Sequence, residues 1–493
     1  MRKQMVEKYQ KYIMEFAGNF LCLLVFWGGM LRKSFNADTI FHMVVEDADI
    51  FSRIEDGRYV VALGDCILFR LGFRVTDNLS IATLVAFILF AFTMMTVQHT
   101  FKEWMPEENL YKIGYCLGVN LVFLNVLFAE LLMFGEFCVY FGLGYLMAAI
   151  AVQCFTRKRY VGAVAALIIA VCTYQYTVIF AAILLAFYLC LHYKGELSRK
   201  AVLHEIAGIG LCLLMGGLNL LSVKILEWLG IIGEFRKSGG IGNVGKKLRA
   251  AMASFIDLNK SSANILPEFW IPMLFTAALL TLIIINCVRE HKCKKIPFIL
   301  MVWAGGNLLL YVIPLMQENF SFASRMSFCF YLVQSLLAVT AYAFCNKQIK
   351  GLVTAGCICY IVIQLLFSNF VVTNHFVSNT LDEVYANMFY REILKYEDET
   401  GSRVTRIAYR RDTYCPHYYD EVTYTSNEIN ERALSQVTNS LIEVVTGREF
   451  ENTDMTEEEF HRYFKDYVDK DWNYLDLSEQ LVIVGDTAYW CVF

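Results

Sequence analysis

Six carboxylates crowd the stretch NADTIFHMVVEDADIFSRIEDGRY, Asn36 to Tyr59: Asp38, Glu46, Asp47, Asp49, Glu55 and Asp56. His42, Arg53 and Arg58 stand among them. A carboxylate beside an apolar wall has its ionisation tuned and serves as a general base toward an attacking hydroxyl. A helix over 38–55 puts His42, Glu46, Asp49 and Arg53 on one stripe at i, i+4, i+7 and i+11. Phe41, Val45 and Ala48 lie beside that stripe, and Ile40, Val44, Phe51 and Ile54 broaden the apolar side. For any one of these acids the plain alternative is the solvated face of an amphipathic helix. Asp38 precedes the apolar periodicity, so an N-cap role competes with a catalytic one. The spacing H-x3-E-x2-D at His42, Glu46 and Asp49 leaves a divalent metal open, although acidic helices often produce it by chance.

A second set of residues could hold an anion. Arg58 follows a glycine and precedes an aromatic in EDGRY, where a guanidinium can grip phosphate through two parallel donors. FRKSGGIGNVGKKLR carries Arg236, Lys237, Lys246, Lys247 and Arg249 on glycine-rich backbone. Attraction to anionic lipid headgroups explains those bases equally well. Arg325 is the one base in the short outer connectors and is a phosphate-contact candidate. TYQYT offers Tyr174, Gln175 and Tyr176. Gln175 can bond sugar hydroxyls or a helix neighbour, and an interfacial aromatic belt accounts for the tyrosines.

The elements that must position these groups are built for lipid. Of 493 residues, 57% are hydrophobic and 18% charged, below the roughly 25% of a soluble domain. Eleven runs are candidate spans: 12–31, 79–98, 112–132, 136–155, 160–174, 176–192, 201–222, 268–288, 297–316, 326–345 and 351–372. The run after the basic Lys3–Lys11 is longer than the roughly 7–15 residues of a signal core, so it reads as a retained first span. Bases gather in RKR (Arg157–Arg159), HYKGELSRK, VREHKCKK and NKQIK, whereas MFGE, TYQYT and QENFSFASR hold only Arg325. This positive-inside pattern puts the N-terminus in the cytoplasm and leaves two long outer loops, 32–78 and 223–267. YVVALGDCILFRLGF (59–73) is too short and too charged to span and reads as an interfacial or re-entrant helix.

Residues 1–373 thus form a membrane domain and 374–493 an acidic extracytoplasmic one. The tail holds 11 Lys and Arg against 24 Asp and Glu, a balance of −13, and the rest of the chain balances at +9 (32 against 23). Helix-like LDEVYANMFYREILKYEDE alternates there with strand-like RVTRIAYRR and EQLVIVGDTAYWCVF, predicting a small α/β fold. The fold class is therefore mainly α, a polytopic helical membrane protein with a small α/β C-terminal domain. Most of the 16 cysteines lie in apolar runs and act as small hydrophobes; in the tail only Cys415 and Cys491 could pair. From the second span onward the charges near span ends are Glu130, Glu136, Lys224 and Arg325, and none sits near a centre. That weighs against an ion-driven transporter.

The order of these motifs is ADT after the first span, DGRY about twenty residues later, YQ in a mid-chain span pair and an outer Arg before a late span. It resembles the membrane glucosyltransferases of the O-antigen-modifying type, in the GT-C superfamily of polytopic glycosyltransferases. The resemblance covers most of residues 12–372 and leaves the tail unmatched. The family's first outer loop shows paired acids and then a Gly-Arg-aromatic element. Here the pair reads Ala37-Asp38, and Asp38 keeps the spacing to Gly57-Arg58. The resemblance implies a plasma-membrane enzyme that moves a sugar, glucose by analogy, from a polyprenyl-phosphate donor to a cell-envelope glycan, inverting the anomeric centre. It implies Asp38, then Asp49, as base, and Arg58, Arg325 or the bases Arg236 and Lys237 as phosphate contacts. No cofactor and no nucleic-acid partner is expected. Two rivals remain: a flippase or transporter of lipid-linked sugars, for which the carboxylates would be dispensable, and a non-catalytic envelope protein whose tail recruits partners.

Overall fold

The computed structural model describes residues 2–45, 50–193, 199–233, 243–317, 320–411, 432–467 and 475–492. Helix α1 (Arg2–Trp27) opens the chain. The first long loop then folds as α2 (Ala37–Val44), α3 (Ile50–Glu55) and α4 (Tyr59–Arg70). A single helix over 38–55 is not formed. Val45 turns extended at ψ 100°, and Arg74 Nη2 takes the Met43 carbonyl at 2.9 Å, which satisfies the end of α2. Residues 46–49 lie outside the described residues. Of the 59–73 run, Tyr59–Arg70 is helical. Leu63, Ile67, Phe69 and Leu71 are exposed, an apolar face suited to lipid.

Helix α5 (Leu79–Thr100) follows, then α6 (Asn109–Asn120) and the short α7 (Ala129–Met133). The expected span 112–132 is therefore broken. Asn125 donates to the Leu121 and Val122 carbonyls at 2.9 Å and accepts from Leu127 N at 3.1 Å, so its amide replaces helix bonds. Irregular backbone is tolerated there because residues 121–128 are buried in protein rather than lipid. Next come α8 (Cys138–Thr156), α9 (Tyr160–Thr173), α10 (Thr177–His192), α11 (Arg199–Trp228), α12 (Val244–Ser261) and α13 (Ile271–Arg289). The expected span 297–316 splits into α14 (Ile296–Leu309) and α15 (Val312–Met316). Pro314 has no N–H to offer and its ring crowds the Leu310 carbonyl, which ends α14. Helices α16 (Ser324–Ser327), α17 (Cys329–Phe344) and α18 (Lys347–Thr400) complete the helical body.

Seven helices among the described residues are long and apolar enough to cross a membrane, within α1, α5, α8, α11, α13, α16–α17 and α18. Helices α9 and α10, at 14 and 16 residues, are apolar but shorter. The eleven runs thus become seven long helices, two short ones and two broken ones. Polar side chains join the helices where water is absent. Asn19, Gln98 and Asn120, from α1, α5 and α6, bond one another at 2.9–3.2 Å.

Helix α18 has 54 residues, about 80 Å at 1.5 Å per residue, so it runs far beyond a hydrocarbon core of about 30 Å. No Gly or Pro lies between Cys357 and Thr400, and Gly401 ends the helix at φ +72°. The tail sheet has the order β2-β1-β4-β3, with β1 (Arg406–Arg411), β2 (Glu451–Asp454), β3 (Leu481–Val484) and β4 (Thr487–Val492). Strand β1 pairs in parallel with β2 and β4, and β3–β4 is an antiparallel hairpin. Helices α19 (Ala433–Gln436), α20 (Thr438–Thr446), α21 (Glu457–Tyr463) and α22 (Leu477–Gln480) cover the sheet. Phe389 of α18 stacks on Trp490 of β4 at 4.1 Å. The same core takes in Phe35 and Ile40 from the first loop, and α2 packs on α20.

Candidate functional site

Helix α2 starts on Asn36, whose side chain accepts from Thr39 N at 2.8 Å. The capping role weighed for Asp38 therefore belongs to Asn36. Asp38 sits one turn-position inside α2, exposed, in the positive field of the helix start. Beside it, the Thr39 hydroxyl lies between Asn36 Oδ1 (2.8 Å) and Glu136 Oε2 (2.5 Å). Glu136 is buried, and its Oε1 has no hydrogen-bond partner. Burial raises the Glu136 carboxyl above its ordinary range; nearby His42 and the Thr39 bond oppose that shift and Asp38 adds to it. Two carboxylates thus share one field at the start of α2, Glu136 buried and Asp38 facing water.

Arg53 and Arg58 flank the ring of Phe137, with guanidinium carbons 4.1 and 5.1 Å from its centroid. Arg53 Nη2 meets His42 Nε2 at 3.2 Å, and Arg53 Nε is 3.6 Å from Asp65 Oδ2. His42 and Arg53 meet although one helix would set them about three turns apart, because α2 ends at Val45. Asp65 also accepts from the Tyr140 hydroxyl at 2.5 Å. Burial raises Asp65 above the usual carboxylate range, against the Tyr140 bond and the charges of Arg53 and His42.

The turn that aims Arg58 explains the glycine in EDGRY. Gly57 N bonds Ile54 O at 2.9 Å and Arg58 N bonds Arg53 O at 2.8 Å, the paired bonds of a helix end closed by a left-handed residue. Gly57 has φ +71°, and a Cβ there would meet Asn219 Oδ1 at 2.7 Å. Arg58 reaches Asp56 Oδ2 at 3.3 Å, and its Nε is buried without a hydrogen-bond partner. Burial holds the guanidinium below its usual range, helped by the neighbouring charges of Arg53 and Arg325 and opposed by Asp56 and Tyr174.

Arg325 arrives from the far end of the chain. Its Nη1 pairs with Glu130 Oε1, its N–H donates to Glu130 Oε2 at 2.6 Å, and its guanidinium lies 4.8 Å from the Phe134 centroid. Tyr174 Oη is 3.5 Å from the Arg325 carbonyl. Gln175 donates to the Asp56 carbonyl and to Asn219 Oδ1 (3.2 Å), and Asn219 Nδ2 donates to Gly57 O at 2.8 Å. Gln175 therefore ties the α9–α10 corner to the Gly57 turn.

Four of the sequence candidates, Arg58, Arg325, Tyr174 and Gln175, come together, and Asp38 stands near Glu136. Asp49, Arg236 and Lys237 lie outside the described residues. Of the remaining loop bases, Lys247 is buried and donates to the Leu315 carbonyl at 3.3 Å. Sequence reasoning noted Glu130 only as a charge near a span end and did not single out Asp65, Tyr140 or Asn219. The available signal was an acid inside or beside an apolar run, which a buried partner makes tolerable. Among the described residues, no three His, Cys, Asp or Glu side chains gather as a metal-ligand set, and Glu46 and Asp49 of the H-x3-E-x2-D spacing fall outside them.

Chemically, the arrangement offers guanidiniums on aromatic walls for an anion, a water-facing carboxylate for a proton and an apolar helix face for a lipid tail. No family model, curated protein or solved structure matches the chain.

Proposed function

We propose that this protein is a glycosyltransferase of the GT-C type, acting at the outer face of the plasma membrane with its N-terminus in the cytoplasm. A polyprenyl-phosphate sugar, glucose by analogy, is the donor, and a cell-envelope glycan is the acceptor. The observation that carries this reading is the convergence of Arg53, Arg58 and Arg325 from two distant parts of the chain, with Arg58 Nε buried and unpartnered. Asp65, Asp56 and Glu130 already face these guanidiniums, and the Arg58 Nε left over is the donor that a phosphate oxygen would take. The apolar face of α4 beside them suits the lipid tail of a phosphate-bearing donor. The shared core of α2 and the tail supports a common side of the membrane for the outer loop and residues 374–493.

The acceptor hydroxyl oxygen attacks the anomeric carbon while the bond to the phosphate oxygen breaks. Its proton passes to Asp38, and the phosphate leaves with the bonding pair, stabilised by Arg58 and Arg325. Displacement in one step inverts the anomeric centre. The test uses purified protein in lipid nanodiscs with labelled polyprenyl-phosphate glucose and envelope glycan. Wild type should transfer label, and Asp38→Asn should lose nearly all of it. Absence of transfer by wild type would sink the enzyme reading and favour a flippase. Full transfer by Asp38→Asn, with loss in Asp49→Asn, would move the base to Asp49.

A further inference from the structure

Behind the arginines lies a group of buried tyrosines, two of whose hydroxyls have no hydrogen-bond partner. Tyr145 of α8 and Tyr174 and Tyr176 of the α9–α10 corner pack together, with ring centroids 6.3 Å apart for Tyr145–Tyr174 and 5.9 Å for Tyr174–Tyr176. The Tyr145 and Tyr176 hydroxyls are buried without any hydrogen-bond partner, and Tyr174 has only the long 3.5 Å contact to the Arg325 carbonyl. Ser324, next to Arg325 and fully buried, also has an unpartnered hydroxyl. Phe141 and Phe328 wall the group, 4.9 Å from the Tyr174 ring and 5.1 Å from the Tyr145 ring. Phenylalanine would pack as well at Tyr145 and Tyr176 and would avoid burying a bare hydroxyl, which costs about 1–3 kcal/mol per group. Two such costs at one spot, beside guanidiniums that suit phosphate, mark a place prepared for a polyhydroxylated group joined to an anion.

We infer that Tyr145, Tyr174 and Tyr176 form the headgroup subsite for the sugar of the lipid-linked donor, with Arg58 and Arg325 holding the adjoining phosphate. This rests on the glycosyltransferase reading and adds the residues that read the sugar. The three tyrosines are 0–4% exposed, so loading requires the Gly57 turn to part from the α9–α10 corner. The joint that must open is the Gln175 and Asn219 bonding to the carbonyls of Asp56 and Gly57.

The test measures binding of two lipids to wild type, Tyr145→Phe, Tyr176→Phe and the double variant in nanodiscs: polyprenyl-phosphate glucose and polyprenyl phosphate without sugar. Wild type should prefer the sugar-bearing lipid, and each lost hydroxyl should weaken that lipid about tenfold while leaving the bare phosphate lipid unchanged. Melting temperatures of the variants should hold or rise, because the unpaired hydroxyls are gone. A double variant that keeps the sugar preference overturns the subsite. So does a fall in melting temperature with no change in binding, which would mean the hydroxyls are satisfied by water as part of the fold. Equal wild-type binding of both lipids overturns the subsite alone. Binding of neither lipid overturns the glycosyltransferase reading beneath it.

Discussion

The first long loop, residues 32–78, is one stretch of sequence held by two different supports. Its first half, α2, is fastened to the tail. Phe35 and Ile40 sit in the tail's core, and Asn379 of α18 bonds Phe35 in both directions, at 2.9 and 2.8 Å. Its second half, α3 and α4, is fastened to the membrane helices. Arg53 and Asp65 meet Tyr140, Gly57 rests on Asn219, and the Tyr59 hydroxyl is 2.6 Å from Ser222. Asp38, the proposed base, rides on the tail-held half. Arg58, the proposed phosphate grip, rides on the membrane-held half. On the proposed reading, the separation of base and leaving group depends on how the tail docks as well as on the Thr39–Glu136 bond that ties α2 to the helical body.

The largest expected effect breaks the membrane-held half. Arg58→Ala should lower transfer by about 10²–10³-fold, the range for removing one oriented donor from a developing anion. Arg58→Lys should rescue little of it, since a point charge does not reproduce a planar fork. Steady-state kinetics in nanodiscs checks both, and a variant within twofold of wild type would remove Arg58 from the site. The next effect breaks the tail-held half. Ile40 is fully buried, so Ile40→Ala should cost about 2–5 kcal/mol of local stability. Hydrogen exchange should rise in α2 and α20, and transfer should fall while binding of bare polyprenyl phosphate stays unchanged. Val484→Ala, exposed on β3, should leave both unchanged in the same assays.

A third substitution attacks the turn between the halves. Gly57→Ala forces a Cβ into a left-handed position and onto Asn219, Val223 and Gln175, at a cost of about 1–3 kcal/mol. Binding of the phosphate lipid should weaken, because Arg58 follows directly on this turn. Unchanged binding would separate the turn from the aim of Arg58.

What the sequence could reveal tracks how local each feature is. Gly57-Arg58 was legible because a left-handed helix end leaves a glycine behind. The strands β1, β3 and β4 were legible from alternation and β-branched content. The partners of the site were not: Glu130 meets Arg325 across 195 residues, and Tyr140 meets Asp65 across 75. A lone acid at the edge of an apolar run carries no mark of the base it will meet. Helix α18 hid in another way. Its hydropathy falls sharply near residue 373, yet no helix breaker stands there, so one continuous helix read as a span followed by a separate helical run. The single helix drawn over 38–55 failed because apolar periodicity continues across a break in the backbone at Val45.

The smallest effects give the comparison a sign. Asp65, on the membrane-held half, has its pKa raised by burial, whereas Glu459 in the tail has its pKa lowered by the Thr456 N–H and hydroxyl of its capping box. A raised carboxyl contributes stability that is present below its unfolded value, about 3.9, and lost as pH climbs through the folded value. A lowered one contributes stability that is present above its unfolded value, about 4.3, and lost as pH falls through the folded value. Replacing Asp65 with Asn should therefore shift the melting temperature, relative to wild type, in the variant's favour as pH rises. Replacing Glu459 with Gln should shift it against the variant over the same direction, by no more than about 1 kcal/mol for a partly exposed cap. Thermal melts of both variants and wild type, from roughly pH 3 to 8, supply the measurement. Parallel shifts of one sign would show that the two halves share a single electrostatic environment, and the division into a tail-held base and a membrane-held phosphate grip would have to be redrawn.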